Sequence, residues 1–160
     1  MMIIAVAADH RGHAAKEKIA VLVSEQGHQV LDMGTNSGRS CDYPDVAYPA
    51  ARAVADARAD RAILICGSGI GMTICANKVP GVRAALCHDE LTAQMSRRHN
   101  DANILCLASD VLGEELMRRI VSSWLNTDFE PAGRHHRRVR KITWIEQGKD
   151  PNAYDETPGQ

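Results

Sequence analysis

The chain reads as one α/β domain, a five-stranded parallel sheet with helices on both faces. Three observations predict it. A length of 160 residues, 44% of them hydrophobic, suffices for one sizeable core and is short for two. Short apolar or β-branched runs alternate five times with helical patterns. Alternation of that kind makes each strand return parallel to the last through a crossover helix.

The elements follow in order. Ile3 to Ala8 is an unbroken apolar run that ends at Asp9-His10 and gives way to a helix near Gly12 to Glu25. Gln29 to Met33 forms the second strand and leads through Gly34-Thr35 to Asp42-Tyr43-Pro44, where a helix near Pro44 to Arg58 starts. The third strand, Ala62 to Cys66, runs into Gly67-Ser68-Gly69-Ile70-Gly71 and a helix near Ile70 to Asn77. Val82 to Leu86 leads into Cys87-His88-Asp89 and a helix near Leu91 to His99, and Ile104 to Ala108 precedes a helix near Leu112 to Leu125. After the break at Pro131-Ala132-Gly133 comes a further helix, Arg134 to Glu146, with no strand behind it; it is free to pack on a partner subunit. The domain is therefore 1–146, and the polar, turn-rich stretch 147–160 reads as a disordered tail.

Composition narrows the function. A formal charge of −1 with both signs interspersed provides no field to collect nucleic acid or an anionic membrane, and six aromatic residues (one Phe, three Tyr, two Trp) make no base-stacking surface. The apolar N-terminus reaches Asp9 after eight residues without a basic leader, too short for a membrane span or a signal peptide, so a cytoplasmic protein with a small polar ligand is expected. Five cysteines without any C-x-x-C pair suggest reduced thiols, neither a disulfide framework nor a zinc knuckle. Cys87 and Cys106, set in apolar runs, read as core.

In open parallel sheets ligands bind beyond the carboxyl ends of the strands. The strongest signal there is Ile63-Leu64-Ile65-Cys66-Gly67-Ser68-Gly69-Ile70-Gly71, a strand entering a glycine-rich turn that opens a helix and presents backbone N–H groups to an anion. Its spacing is neither the dinucleotide fingerprint nor a P-loop, and by glycine pattern alone it is equally a tight turn without a ligand. Cys66 tips the balance, because a thiol beside a helix N-terminus is suited to act as base or nucleophile. Ser68 can donate to a developing oxygen charge, although serine at a helix start is at least as often an N-cap. Asp9 and His10 end the first strand; His99, at a helix end, is either an acid–base group or a favourable C-terminal histidine. His13 and His28 look like solvated residues. Arg134 and Arg138, four apart on one helix face, suit a phosphate, although a basic run is usually a solvated face.

Together, Ala8-Asp9-His10-Arg11-Gly12, Asp42-Tyr43-Pro44, Ile65 to Gly71, Ala76-Asn77-Lys78, His99-Asn100-Asp101-Ala102-Asn103 and Gly133-Arg134-His135 through Arg138-Val139 resemble the ribose-5-phosphate isomerase B family, in order and spacing from about Ile3 to Glu146. The related galactose-6-phosphate isomerase subunits share this plan. The resemblance implies a three-layer Rossmann-like domain, a homodimer or dimer of dimers with a shared site, no metal or organic cofactor, and interconversion of ribose 5-phosphate and ribulose 5-phosphate through an enediolate. By the same resemblance Cys66 is the base, Ser68 and the amides of Gly67, Gly69, Ile70 and Gly71 stabilise the enediolate oxygens, and His99 assists ring opening. Asp9, Tyr43 and Asn100 hold the sugar; His10, Arg134 and Arg138 hold the phosphate, the two arginines reaching in from the neighbour. One position departs from the pattern. Where many members have a phosphate-holding arginine this chain has Asp110, an acid that must turn outward or pair, with Arg137 or Arg140 as candidates, and that shifts the expected preference toward another pentose or a tetrose phosphate. The remaining alternatives are a hexose-phosphate isomerase acting on galactose 6-phosphate or allose 6-phosphate, and a non-catalytic sugar-phosphate sensor.

Overall fold

A computed structural model describes residues 1–154; residues 155–160 of the expected tail lie outside the described residues. Five strands, β1 (Ile3–Ala8), β2 (Gln29–Asp32), β3 (Arg61–Cys66), β4 (Ala84–Leu86) and β5 (Ile104–Ala108), form one parallel sheet in the order β2-β1-β3-β5-β4. The helices are α1 (His13–Glu25), α2 (Tyr43–Ala55), α3 (Ile70–Ala76), α4 (Glu90–Asn100), α5 (Glu114–Leu125) and α6 (Gly133–Glu146). This is the three-layer architecture the alternation predicts.

Period-two alternation along the central strands sends side chains into two cores. Ile4, Val6, Ile63, Ile65, Leu105 and Leu107 meet Ile19, Val23, Ile120 and Trp124 of α1 and α5. On the other face Ala5, Ala7, Leu64, Cys66 and Cys106 meet Ala47, Ala50, Ala51 and Ala53 of α2 and Met72 of α3. The alanines let α2 lie close to the sheet. Cys87 and Cys106 are buried core residues as expected, and burial pushes the Cys106 thiol up to about 12.

Several boundaries differ from the sequence reading, and two of the shifts have a clear cause. β4 begins at Ala84, not Val82, because Val82 closes a turn onto Val79 while the Asn77 amide takes both backbone groups of Ala84, at 2.9 Å each. That side chain occupies the outer edge of a strand that pairs only with β5. α5 begins at Glu114 because Gly113 is extended and serves as its N-cap.

α6 packs on α4 of its own chain, burying Val139 and leaving Ile142 and Ile145 exposed. The first residues of the expected tail fold back on it: Pro151–Ala153 form a 3-10 turn, and Tyr154 meets Trp144 edge-on at 5.0 Å. Among the described residues no helix is long and apolar enough to cross a membrane.

Candidate active site

The carboxyl end of the sheet gathers the first group of candidates. Cys66, the last residue of β3, is 4% exposed, and its Sγ accepts the Gly69 N–H at 3.1 Å. The turn that follows cannot be built otherwise. Gly69 has φ +72°, and a Cβ there would collide with Leu86 and with the Leu107 backbone. Gly71 lies under the Tyr43 ring, where a Cβ would come within 2.7 Å of Cζ. Ser68 is not the N-cap of α3, a place Gly69 takes; its Oγ accepts the Ile70 N–H at 3.3 Å and the residue is exposed. Asp9, 6% exposed, accepts the N–H groups of Arg11 and Gly12 through one oxygen, at 2.9 and 3.1 Å. His10 Nδ1 accepts the Cys41 N–H at 3.3 Å, tying the strand end to the loop before α2.

A second layer, which spacing along the chain could not reveal, fixes this turn. Asp110 pairs with Arg11 at 2.7 Å, not with Arg137 or Arg140 as anticipated, although 99 positions separate the two. The Asp110 N–H donates to Gly67 O at 3.0 Å, and Ser109 gives both its N–H and its Oγ–H to Cys66 O, at 2.9 and 3.1 Å. The loop after β5 thus clasps the Cys66 turn and holds Arg11 across it. The hydrogen bond from Arg11 to Asp110, then the charge of Asp110, raises the arginine's pKa further.

His99, Asn100, Arg134 and Arg138 are elsewhere. α4 runs back down the sheet, so its last residues lie beyond the amino ends of β4 and β5. There Arg83 Nε donates to Asn100 O and Asp101 O, both at 3.0 Å, and Arg97 donates to Ala102 O at 2.6 Å and to Asp101 at 2.9 Å. Asn103 O accepts the Ala62 N–H at the start of β3, while Cys66 ends that strand. Four residues of strand separate these levels, about 13 Å. One chain therefore does not bring His99 and Asn100 to Cys66; the two groups lie at opposite ends of the sheet.

The start of α6 joins the amino-end group. Glu130 donates its N–H to Arg98 O at 3.1 Å and accepts Arg98 Nε at 2.7 Å, and His135 stacks on His99 with centroids 4.2 Å apart and planes 5° off parallel. Desolvation, then the neighbouring His99 ring, lowers the His135 pKa. Arg134 and Arg138 are exposed on the same helix. His13 meets Thr35 O at 3.2 Å and His28 accepts the Met2 N–H at 3.3 Å, both half-buried structural contacts.

Residues 4–142 match the Ribose/Galactose Isomerase family model. Ribose-5-phosphate isomerase B of Escherichia coli is 46% identical over 92% of this chain and 98% of its own. Clostridium thermocellum ribose-5-phosphate isomerase B superposes with a TM-score of 0.90 at 47% identity, covering 92% of this chain and 99% of that one. The Mycoplasma genitalium ribose-5-phosphate isomerase B, with ribulose 5-phosphate bound, superposes at 0.86 with 40% identity over 91% and 96% of the two chains.

Proposed function

The chain belongs to the ribose/galactose isomerase family as a sugar-phosphate isomerase of the ribose-5-phosphate isomerase B type, and we propose that it interconverts ribose 5-phosphate and ribulose 5-phosphate at a site completed by two copies of the chain. The observation that carries the chemistry is the buried Cys66 thiol set in a turn of backbone amides, with Asp9, His10 and Tyr43 around it.

Moving a carbonyl from C1 to C2 needs a base for the C2 proton and donors aimed at the oxygens that gain charge. Cys66 removes the C2 proton and the electron pair moves toward O1, giving the enediolate. The same proton returns at C1 while the hydroxyl proton of O2 passes to O1 and O2 becomes the carbonyl, so nothing is consumed. Ser68 and the amides of Gly67, Ile70 and Gly71 complement the charge on O1 and O2, while the Gly69 N–H, held on Sγ, complements a negative sulfur. His99 assists opening of the furanose ring, Asp9, Tyr43 and Asn100 hold the sugar, and His10, Arg134 and Arg138 hold the phosphate. Anchoring the phosphate supplies binding energy remote from the reacting carbons.

The separation of the two groups supports a shared site. A two-fold axis across the strands turns one copy end for end, which sets the amino-end cluster of one chain against the Cys66 turn of the other. The surface around the β4 edge is suited to that contact: Ile70, Ile74, Leu91, Met95, Ile142 and Ile145 are all exposed in the single chain. His99 and Asn100 cross between copies together with the two arginines.

Ribulose 5-phosphate formation from ribose 5-phosphate, with allose, galactose and erythrose phosphates run alongside, tests the reaction. Cys66→Ala is expected to lose about 10²–10⁴-fold in kcat. The shared site has a sharper test. Cys66→Ala and His99→Ala, each inactive alone, are expected to regain about a quarter of wild-type turnover when mixed and reassociated, because half the dimers are hybrids and each hybrid has one intact site. No regain on reassociation refutes the two-copy site; turnover of another sugar phosphate alone moves the substrate.

A further inference from the structure

The amino-end cluster contains two side chains that the reaction above leaves idle, Glu130 and His135. We propose that His99, Glu130 and His135 form a site for a borderline divalent metal ion such as Zn²⁺, and that the ion switches the isomerase off by taking His99 away from the sugar. One nitrogen of each imidazole and one carboxylate oxygen lie within 4.8 Å of one another. Binding requires the two rings to turn out of their parallel stack so that their in-plane lone pairs converge at the 2.0–2.2 Å or so that zinc requires of nitrogen and oxygen.

The three groups come from separate parts of the chain, the end of α4, the loop after α5 and the start of α6, and each is already held. Arg98 grips Glu130 through one carboxylate oxygen and through its backbone, which leaves lone pairs of the carboxylate for an ion. The stacked rings hold His99 and His135 side by side at 4.2 Å. A bound ion would thus be supported from outside by Arg98, as ligating carboxylates are in metal sites generally.

Two imidazoles and one carboxylate select zinc-like ions over Mg²⁺ and Ca²⁺, which prefer all-oxygen shells. Three protein ligands leave one position open for water or an oxygen of the sugar phosphate. Arg98, Arg134 and Arg138 oppose a bare cation, so the site loads reversibly and is inhibitory, not structural. The effect on turnover rests on the role proposed for His99; the binding does not.

The probes are Zn²⁺ for turnover and Co²⁺ for the visible spectrum, added to chelator-treated full-length protein. The expected result is inhibition reversed by EDTA, together with a Co²⁺ spectrum of nitrogen and oxygen ligation lacking a thiolate charge-transfer band. Glu130→Gln keeps the contact to Arg98 and is expected to retain metal-free turnover while needing at least about 10-fold more Zn²⁺ for half inhibition. His135→Asn is expected to shift the same curve. Inhibition unchanged in both variants, or a thiolate band that vanishes in Cys66→Ala, overturns the proposal and assigns the metal to the thiol. Co²⁺ binding that depends on Glu130 and His135 without any inhibition keeps the site and refutes the role of His99.

Discussion

At the carboxyl end of the sheet the Cys66 turn is positioned by backbone: Gly69 and Gly71 admit Leu86 and the Tyr43 ring, and Ser109 and Asp110 clasp the carbonyls of Cys66 and Gly67. At the amino end the Asn100–Asn103 loop is positioned by long side chains: Arg83 and Arg97 reach across to its carbonyls and to Asp101, whose φ is +47°. The first construction fails when a methyl group is added. The second fails when a guanidinium is taken away. The half proposed to hold the base is fixed by close packing around its backbone; the half proposed to serve a partner is tied down by two long side chains, of which Arg97 is buried against Trp124.

Arg97→Ala is the severest way to break the second construction. Arg97 is 5% exposed, stands 5.9 Å from the Trp124 ring centroid, and donates to Ala102 O, Thr127 O and Asp101. Removing it strands buried carbonyls and is expected to cost about 3 kcal/mol of stability, read from chemical denaturation. Arg97→Lys restores the charge but not the fork and is expected to recover less than half of that loss. Full stability in Arg97→Ala would mean that Arg83 alone holds the loop.

Gly71→Ala breaks the first construction by the opposite route. A methyl group 2.7 Å from Tyr43 Cζ moves the ring, which is 41% exposed and free to swing outward. Stability is expected to fall by less than about 1 kcal/mol, while kcat/KM falls by up to about 10²-fold, because the turn and Tyr43 no longer face one substrate together. A loss of stability as large as that of Arg97→Ala would make the ring structural rather than part of the site.

The same contrast explains what the sequence made legible. The five βα units, the buried thiols Cys87 and Cys106 and the glycine-rich turn after β3 are written in neighbouring residues, because strands, helix starts and tight turns depend on local periodicity and on where a side chain is forbidden. The Arg11–Asp110 pair and the His99–Glu130–His135 cluster join positions tens of residues apart and leave no local trace. The end of the sheet that His99 occupies is legible once the strands are taken as parallel: its motif directly precedes β5, and a residue that precedes a parallel strand lies at the amino end, away from Cys66.

The smallest expected effect tests how the clasp at the carboxyl end influences the phosphate. Asp110 and Arg11 are each about half exposed, at 43% and 57%, so their ion pair is screened and Asp110→Ala is expected to leave the melting temperature unmoved. Its influence is on the ligand. With the acid present, the guanidinium beside Gly67 is engaged and its charge offset; without it, Arg11 faces an incoming dianion unopposed. KM for ribose 5-phosphate is therefore expected to fall by roughly 2- to 5-fold with kcat retained, and the difference to vanish at high ionic strength. A rise in KM that survives added salt would give the opposite reading, in which Asp110 acts by holding Arg11 and the Cys66 turn in place, and would place geometry above charge at this end of the sheet as well.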